Sequence, residues 1–168
     1  ILALAQKVSA FASGQTKSEI LSISPLAARP TQARPETRPT KDKIAQLVLA
    51  DKAAWSYDKR IIQVSTRYAD TVQEILVANS LGLRAQDRRT RTRFVVEVVV
   101  KAKGIVQTGY EAPGETSGFE FFKKYPPEKI AQAAAARAIL NLEASPSPAG
   151  TMTVVLAGSA GGTMIHEA

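Results

Sequence analysis

Between about residues 60 and 111 the chain is a succession of runs rich in β-branched residues, joined by connections too short for anything but hairpins. The runs cover about 60–68, 71–79, 83–103 and 104–111, and the breaks between them are Ala69-Asp70, Ser80-Leu81-Gly82 and Gly104. Parallel neighbours need a crossover of a dozen or more residues, usually a helix, and none fits between these runs. The region is therefore expected to form an antiparallel meander, with a bend or bulge near Lys103-Gly104.

Two segments supply helices to cover such a sheet. Thr40 is expected to cap one that runs to about Tyr57, with Asp42 in its first turn and Ile44, Leu47, Val48 and Trp55 as the stripe to be buried. The other opens at Pro126-Pro127-Glu128, with proline and an acid in the first turn, and continues past Ile130 through an alanine run to Leu140. Alanines there imply close packing on the sheet. Between sheet and helix, residues 113–118 read as an exposed turn, followed by the apolar Phe119, Phe121 and Phe122.

The flanks differ in character. Ile1, Leu4, Val8 and Phe11 recur at helical spacing, so residues 1–12 read as an amphipathic helix closed at Ser13-Gly14, and Lys7 argues against a signal sequence. Pro25, Pro30, Pro35 and Pro39 exclude helix and central strand over 24–40, leaving a linker or extended arm in preference to a proline-rich ligand. After the break at Pro146, Pro148 and Gly150, residues 151–156 read as a short strand, 158–162 as a tight turn and 163–168 as the start of a helix. The expected organisation is a last helix of a preceding domain (1–14), a Pro/Arg-rich linker (15–40), a central α+β domain (41–146) and the start of a further domain (147–168).

Composition narrows the function classes. With 45% hydrophobic and 22% charged residues in 168, the chain is an ordinary globular one, and no window approaches the ~18 apolar residues of a membrane span. Cysteine is absent, which removes disulfides and thiolate metal sites and fits a cytoplasmic protein. A formal charge of +7 raises nucleic acid or an acidic partner. The excess sits at Arg29, Arg34 and Arg38, and along Arg84, Arg88, Arg89, Arg91 and Arg93, relieved there only by Asp87. In a strand Arg89, Arg91 and Arg93 share one face while Thr90, Thr92 and Phe94 share the other. Single strands are held by stacking aromatics as well as charge, and the one aromatic nearby is on the wrong face. A solvated or subunit-facing strand paired with acids elsewhere is the preferred reading; a nucleic-acid-binding domain using Arg84 to Arg93 is the rival.

His166 is the only histidine. A zinc site takes three or four ligands from His, Cys, Asp and Glu, so His166-Glu167 alone says little. Its setting says more. A strand, a glycine-rich turn and a helix bearing His-Glu present a metal-binding imidazole with a carboxylate beside it for general-base work on a bound water.

The stretch from Pro148 to Ala168 resembles the segment of the TldD/PmbA family that leads into its HExxxH motif, usually written HEAxGH. Upstream, Val77-Ala-Asn-Ser-Leu-Gly82, the arginine-rich strand, Gly118-Phe-Glu120 and the alanine-rich helix are similar, in order and spacing, to the family's central domain. The resemblance covers about 40–168, and residues 1–12 resemble the last helix of the preceding domain. The family, formerly called "modulator of DNA gyrase", pairs an active TldD subunit carrying the motif with a PmbA (TldE) subunit lacking the zinc ligands. The resemblance implies that His166 is the first zinc ligand and Glu167 the catalytic base; the family's second histidine and later cysteine have no counterpart here. It further implies a zinc-dependent peptidase acting on unfolded or short peptides, as a dimer with a PmbA-like subunit or with itself. The rival to catalysis is a non-catalytic peptide-binding or scaffolding subunit in which His166 is incidental.

Overall fold

A computed structural model describes residues 31–80 and 83–167. The helix read over 1–12 and the arm as far as residue 30 lie outside the described residues. The sheet is antiparallel throughout, with β1 (Ile61–Ala78), β2 (Arg84–Ala102) and β3 (Ile105–Glu111) side by side and a short β4 (Gly114–Glu115) also against β2. The meander expected from the short connections is present.

One expected break is not. β1 runs on through Ala69 and Asp70, which pair with Arg93 and Thr92. Asp70 is a poor strand former, but Lys43 of the covering helix donates to its carboxylate at 2.6 Å, so the charge is neutralised in place. The result is one long hairpin. Its partners turn around at the other end of β2 through Lys103 and Gly104, with φ of 50° and 81°. Two positive φ values make the mirror-image turn whose twist matches the flanking strands, which is the bend expected there.

Along β2 the burial alternates with period two: Thr90, Thr92, Phe94, Val96, Val98 and Val100 face the core. Helices α1 (Thr40–Trp55) and α3 (Pro127–Glu143) cover that face. Each fully buried phenylalanine, Phe94 and Phe121, contributes roughly 1.5–3 kcal/mol. In α3 the alanine run does what its composition implied: Ala131, Ala134, Ala135 and Ala138 are wholly buried.

α1 departs from expectation twice. Thr40 is its first helical residue, and Pro39 stands at the cap without a side-chain hydrogen bond. The buried stripe is Ala50 and Ala54, with Leu47 partly buried; Ile44, Val48 and Trp55 are 51%, 43% and 46% exposed. Small side chains face the core because α1 packs against the alanine face of α3. Bulkier residues would hold the helices apart.

The turn expected at 113–118 is also more than an exposed loop. Gly114 and Glu115 pair with Arg93 and Thr92, Phe94 N–H donates to the Pro113 carbonyl at 3.0 Å, and the Thr92 hydroxyl donates to the Ser117 carbonyl at 2.9 Å. It delivers Phe119 and the short α2 (Phe121–Lys124) to an aromatic cluster with Tyr68, Phe94 and Tyr125.

Candidate metal centre

The strand expected over residues 151–156 does not form among the described residues, and the region expected to be a tight turn is already helical: α4 runs Gly158–Glu167. Its first turn forms as Ala160 and Gly161 N–H groups donate to the Ala157 carbonyl at 3.0 and 2.8 Å. Glycines at 161 and 162 cost helix stability but do not prevent the turn from forming. α4 places His166 and Glu167 in its last turn, both exposed. As helical neighbours they project about 100° apart, so the two groups can address different atoms of one substrate. In the same segment Met152, Val154, Val155, Leu156, Met164 and Ile165 are all at least half exposed, Val155 to 94%.

A zinc centre does not fit the described residues by themselves. No group of three His, Cys, Asp or Glu side chains lies close enough together among them to hold a metal ion. His166 offers one imidazole and Glu167 one carboxylate, short of the three protein ligands that a catalytic zinc takes.

The ordered chemistry lies elsewhere. Glu120 accepts backbone N–H groups from Ala33 at 2.9 Å, Gly118 at 3.1 Å and Gln32 at 3.2 Å, while Phe119 N–H donates to the Ala33 carbonyl at 2.7 Å. Burial opposes the charge on Glu120, but the N–H groups of Gly118, its own backbone, Ala33 and Gln32 outweigh it and hold the carboxyl below its usual range. This carboxylate fastens the end of the proline-rich arm to the domain, and Arg88 strengthens the attachment by bonding both Glu36 and Glu74. Beside the clamp is a groove of about 550 Å³ whose walls include Arg38, Phe119 and Lys123. Sequence reasoning missed Glu120 as an anchor; the signal available was Gly118 two residues before an acid. Tyr68 is pushed well above the usual phenol range by burial and by the Asp70 carboxylate.

An antiparallel sheet with one face under two helices, followed by a separate segment bearing a His-Glu helix, defines an α+β fold. Residues 33–142 match the family described as the PmbA/TldA metallopeptidase central domain. The chain belongs to this PmbA/TldD metallopeptidase family. His166 and Glu167 lie after the matched residues.

Over 135 residues the chain is 32% identical to a metalloprotease TldD homolog of Haemophilus influenzae, covering 77% of this chain and 28% of that protein. Over 112 residues it is 34% identical to a metalloprotease of Methanocaldococcus jannaschii, covering 66% and 24%. The chain thus spans under a third of the curated relatives it matches. A Thermotoga maritima protein solved as a candidate modulator of a DNA gyrase shares the fold, with a TM-score of 0.62 at 21% identity over 85% of this chain and 33% of that one. A Bacteroides thetaiotaomicron protein of similar description gives 0.56 at 15% identity over 80% and 34%.

Proposed function

We propose that this chain is part of a zinc-dependent peptidase of the TldD type, hydrolysing unfolded or short peptides. The observation that carries the proposal is a family central domain over residues 33–142 followed, after residues 143–157, by a helix bearing His166-Glu167. In it His166 would hold the metal as one ligand and Glu167 would take the proton of the attacking water, with the remaining ligands supplied from outside the described residues. The exposed apolar side chains from Met152 to Ile165 support a segment that packs into a larger catalytic unit. No helix among the described residues is long and apolar enough to cross a membrane. We place the enzyme in the cytoplasm, as a dimer with a PmbA-like subunit or with a second copy.

A non-catalytic peptide-binding subunit is favoured by one observation, the lack of a three-ligand group among the described residues. Cleavage of an unfolded reporter peptide by a chain of the relatives' length separates the two. Activity lost on chelation and restored by zinc supports the peptidase; activity that survives complete metal removal, or no activity with zinc loaded, overturns it.

A further inference from the structure

The sheet has a second face that no helix among the described residues covers. On it Arg93, Arg91 and Arg89 follow one another along β2 and stand opposite Ala69, Thr71 and Gln73 of β1, so no cross-strand acid neutralises them. Arg89 is held by Asp87 at 2.6 Å, and Arg67 at the other end of the row by Glu97 at 3.2 Å. Among the described residues Arg93 has only a phenol for company, its Nη2 donating to Tyr110 at 3.1 Å. Arg91, exposed, makes no hydrogen bond or ion pair among the described residues. Beside Arg93 lies a concavity of about 270 Å³, floored by Ala69 and Val95 and walled by Arg67 and Tyr110.

We propose that this face is a docking site for an acidic segment of another polypeptide, which sets a carboxylate on Arg91 and Arg93 and an aliphatic neighbour in the concavity. Charge complementarity carries the choice of partner. Arg91 and Arg93 are neighbours on one strand face, their α-carbons about 7 Å apart, and lack acid partners among the described residues; a guanidinium fork matches a carboxylate with two parallel hydrogen bonds. The concavity falls below the roughly 300–1,000 Å³ of small-molecule pockets, and its apolar floor suits a single side chain. A nucleic-acid strand fits less well: its continuous phosphates would meet Asp87 at one end of the row and Glu97 at the other. The one aromatic on this face among the described residues, Tyr110, is already engaged by Arg93. The proposal is independent of the metal site.

The test is fluorescence anisotropy on the full chain, with a short labelled peptide of alternating glutamate and valine and, separately, a thymidine oligonucleotide. The expected result is salt-sensitive peptide binding that falls about tenfold in the R91Q/R93Q variant, with the oligonucleotide bound no more tightly than the peptide. Should the double variant unfold, Arg91→Gln alone serves, since its side chain has no partner to lose among the described residues; it is expected to weaken the peptide severalfold. No peptide binding at low salt, unchanged binding by the folded variant, or tighter binding of the oligonucleotide would each overturn the proposal.

Discussion

A β-carbon at Gly109 would stand 2.0 Å from the carbonyl oxygen of Ala134, and 2.4 Å from the amide nitrogen of Ala138. β3 and α3 therefore meet backbone to backbone, and only a residue without a side chain fits between them. The clash is with main chain, which cannot swing aside. Gly109→Ala is expected to destabilise the domain by about 3 kcal/mol, read by urea denaturation, and a loss under about 1 kcal/mol would show that the helix can retreat.

Glu120 is the acceptor for Gln32, Ala33 and Gly118. Glu120→Ala removes all three bonds and is expected to cost about 1–2 kcal/mol, allowing for its partial exposure. Hydrogen exchange localises the effect. The amides of Gln32 and Ala33 should exchange faster, while those of β2 keep their protection; unchanged protection at Ala33 would contradict the clamp.

Asp58 is held at about 2, from an ordinary 3.8, first by the Arg60 side chain and then by the Arg60 backbone N–H. A carboxyl depressed on folding contributes stability that is fully present above its unfolded value and lost as pH falls toward the folded one. Stability should therefore hold from neutrality to about pH 4 and fall between 3.8 and 2, with Glu120 adding in the same direction. Asp58→Asn is expected to flatten that fall, measured as melting temperature against pH; an acid limb of equal steepness in the variant would contradict it.

The 168 residues by themselves are expected to bind zinc more weakly than about micromolar, because one imidazole and scattered carboxylates do not form a ready three-ligand site. Stoichiometric zinc binding at micromolar or tighter affinity in calorimetry would refute this.

What could be read from the sequence followed the strength of the local signals. Short connections between β-branched runs left antiparallel pairing as the only option, and Lys103-Gly104 marked its turn. Pro126-Pro127-Glu128 and the alanines marked α3 and its buried face. The face of α1 was not legible. Ile44, Val48 and Trp55 form the more apolar stripe, yet the alanines are buried, since what decides is the close approach of α3, a tertiary fact. Asp70 looked like a break because its partner Lys43 is distant in sequence. Residues 158–162 looked like a turn because glycine propensity says so, yet they are helical. The roles of His166 and Glu167 rest on the resemblance alone, since the described residues hold no group of three ligand side chains.

The most direct test takes a chain of the relatives' length and measures zinc content and peptide cleavage together in two variants. Glu167→Gln keeps the shape of the side chain and removes the base, so cleavage should fall on the order of a hundred- to ten-thousandfold with zinc still bound. His166→Ala should lose zinc and cleavage together. Near-normal cleavage by Glu167→Gln would contradict the assignment of the base, and full zinc content in His166→Ala would contradict the metal site itself.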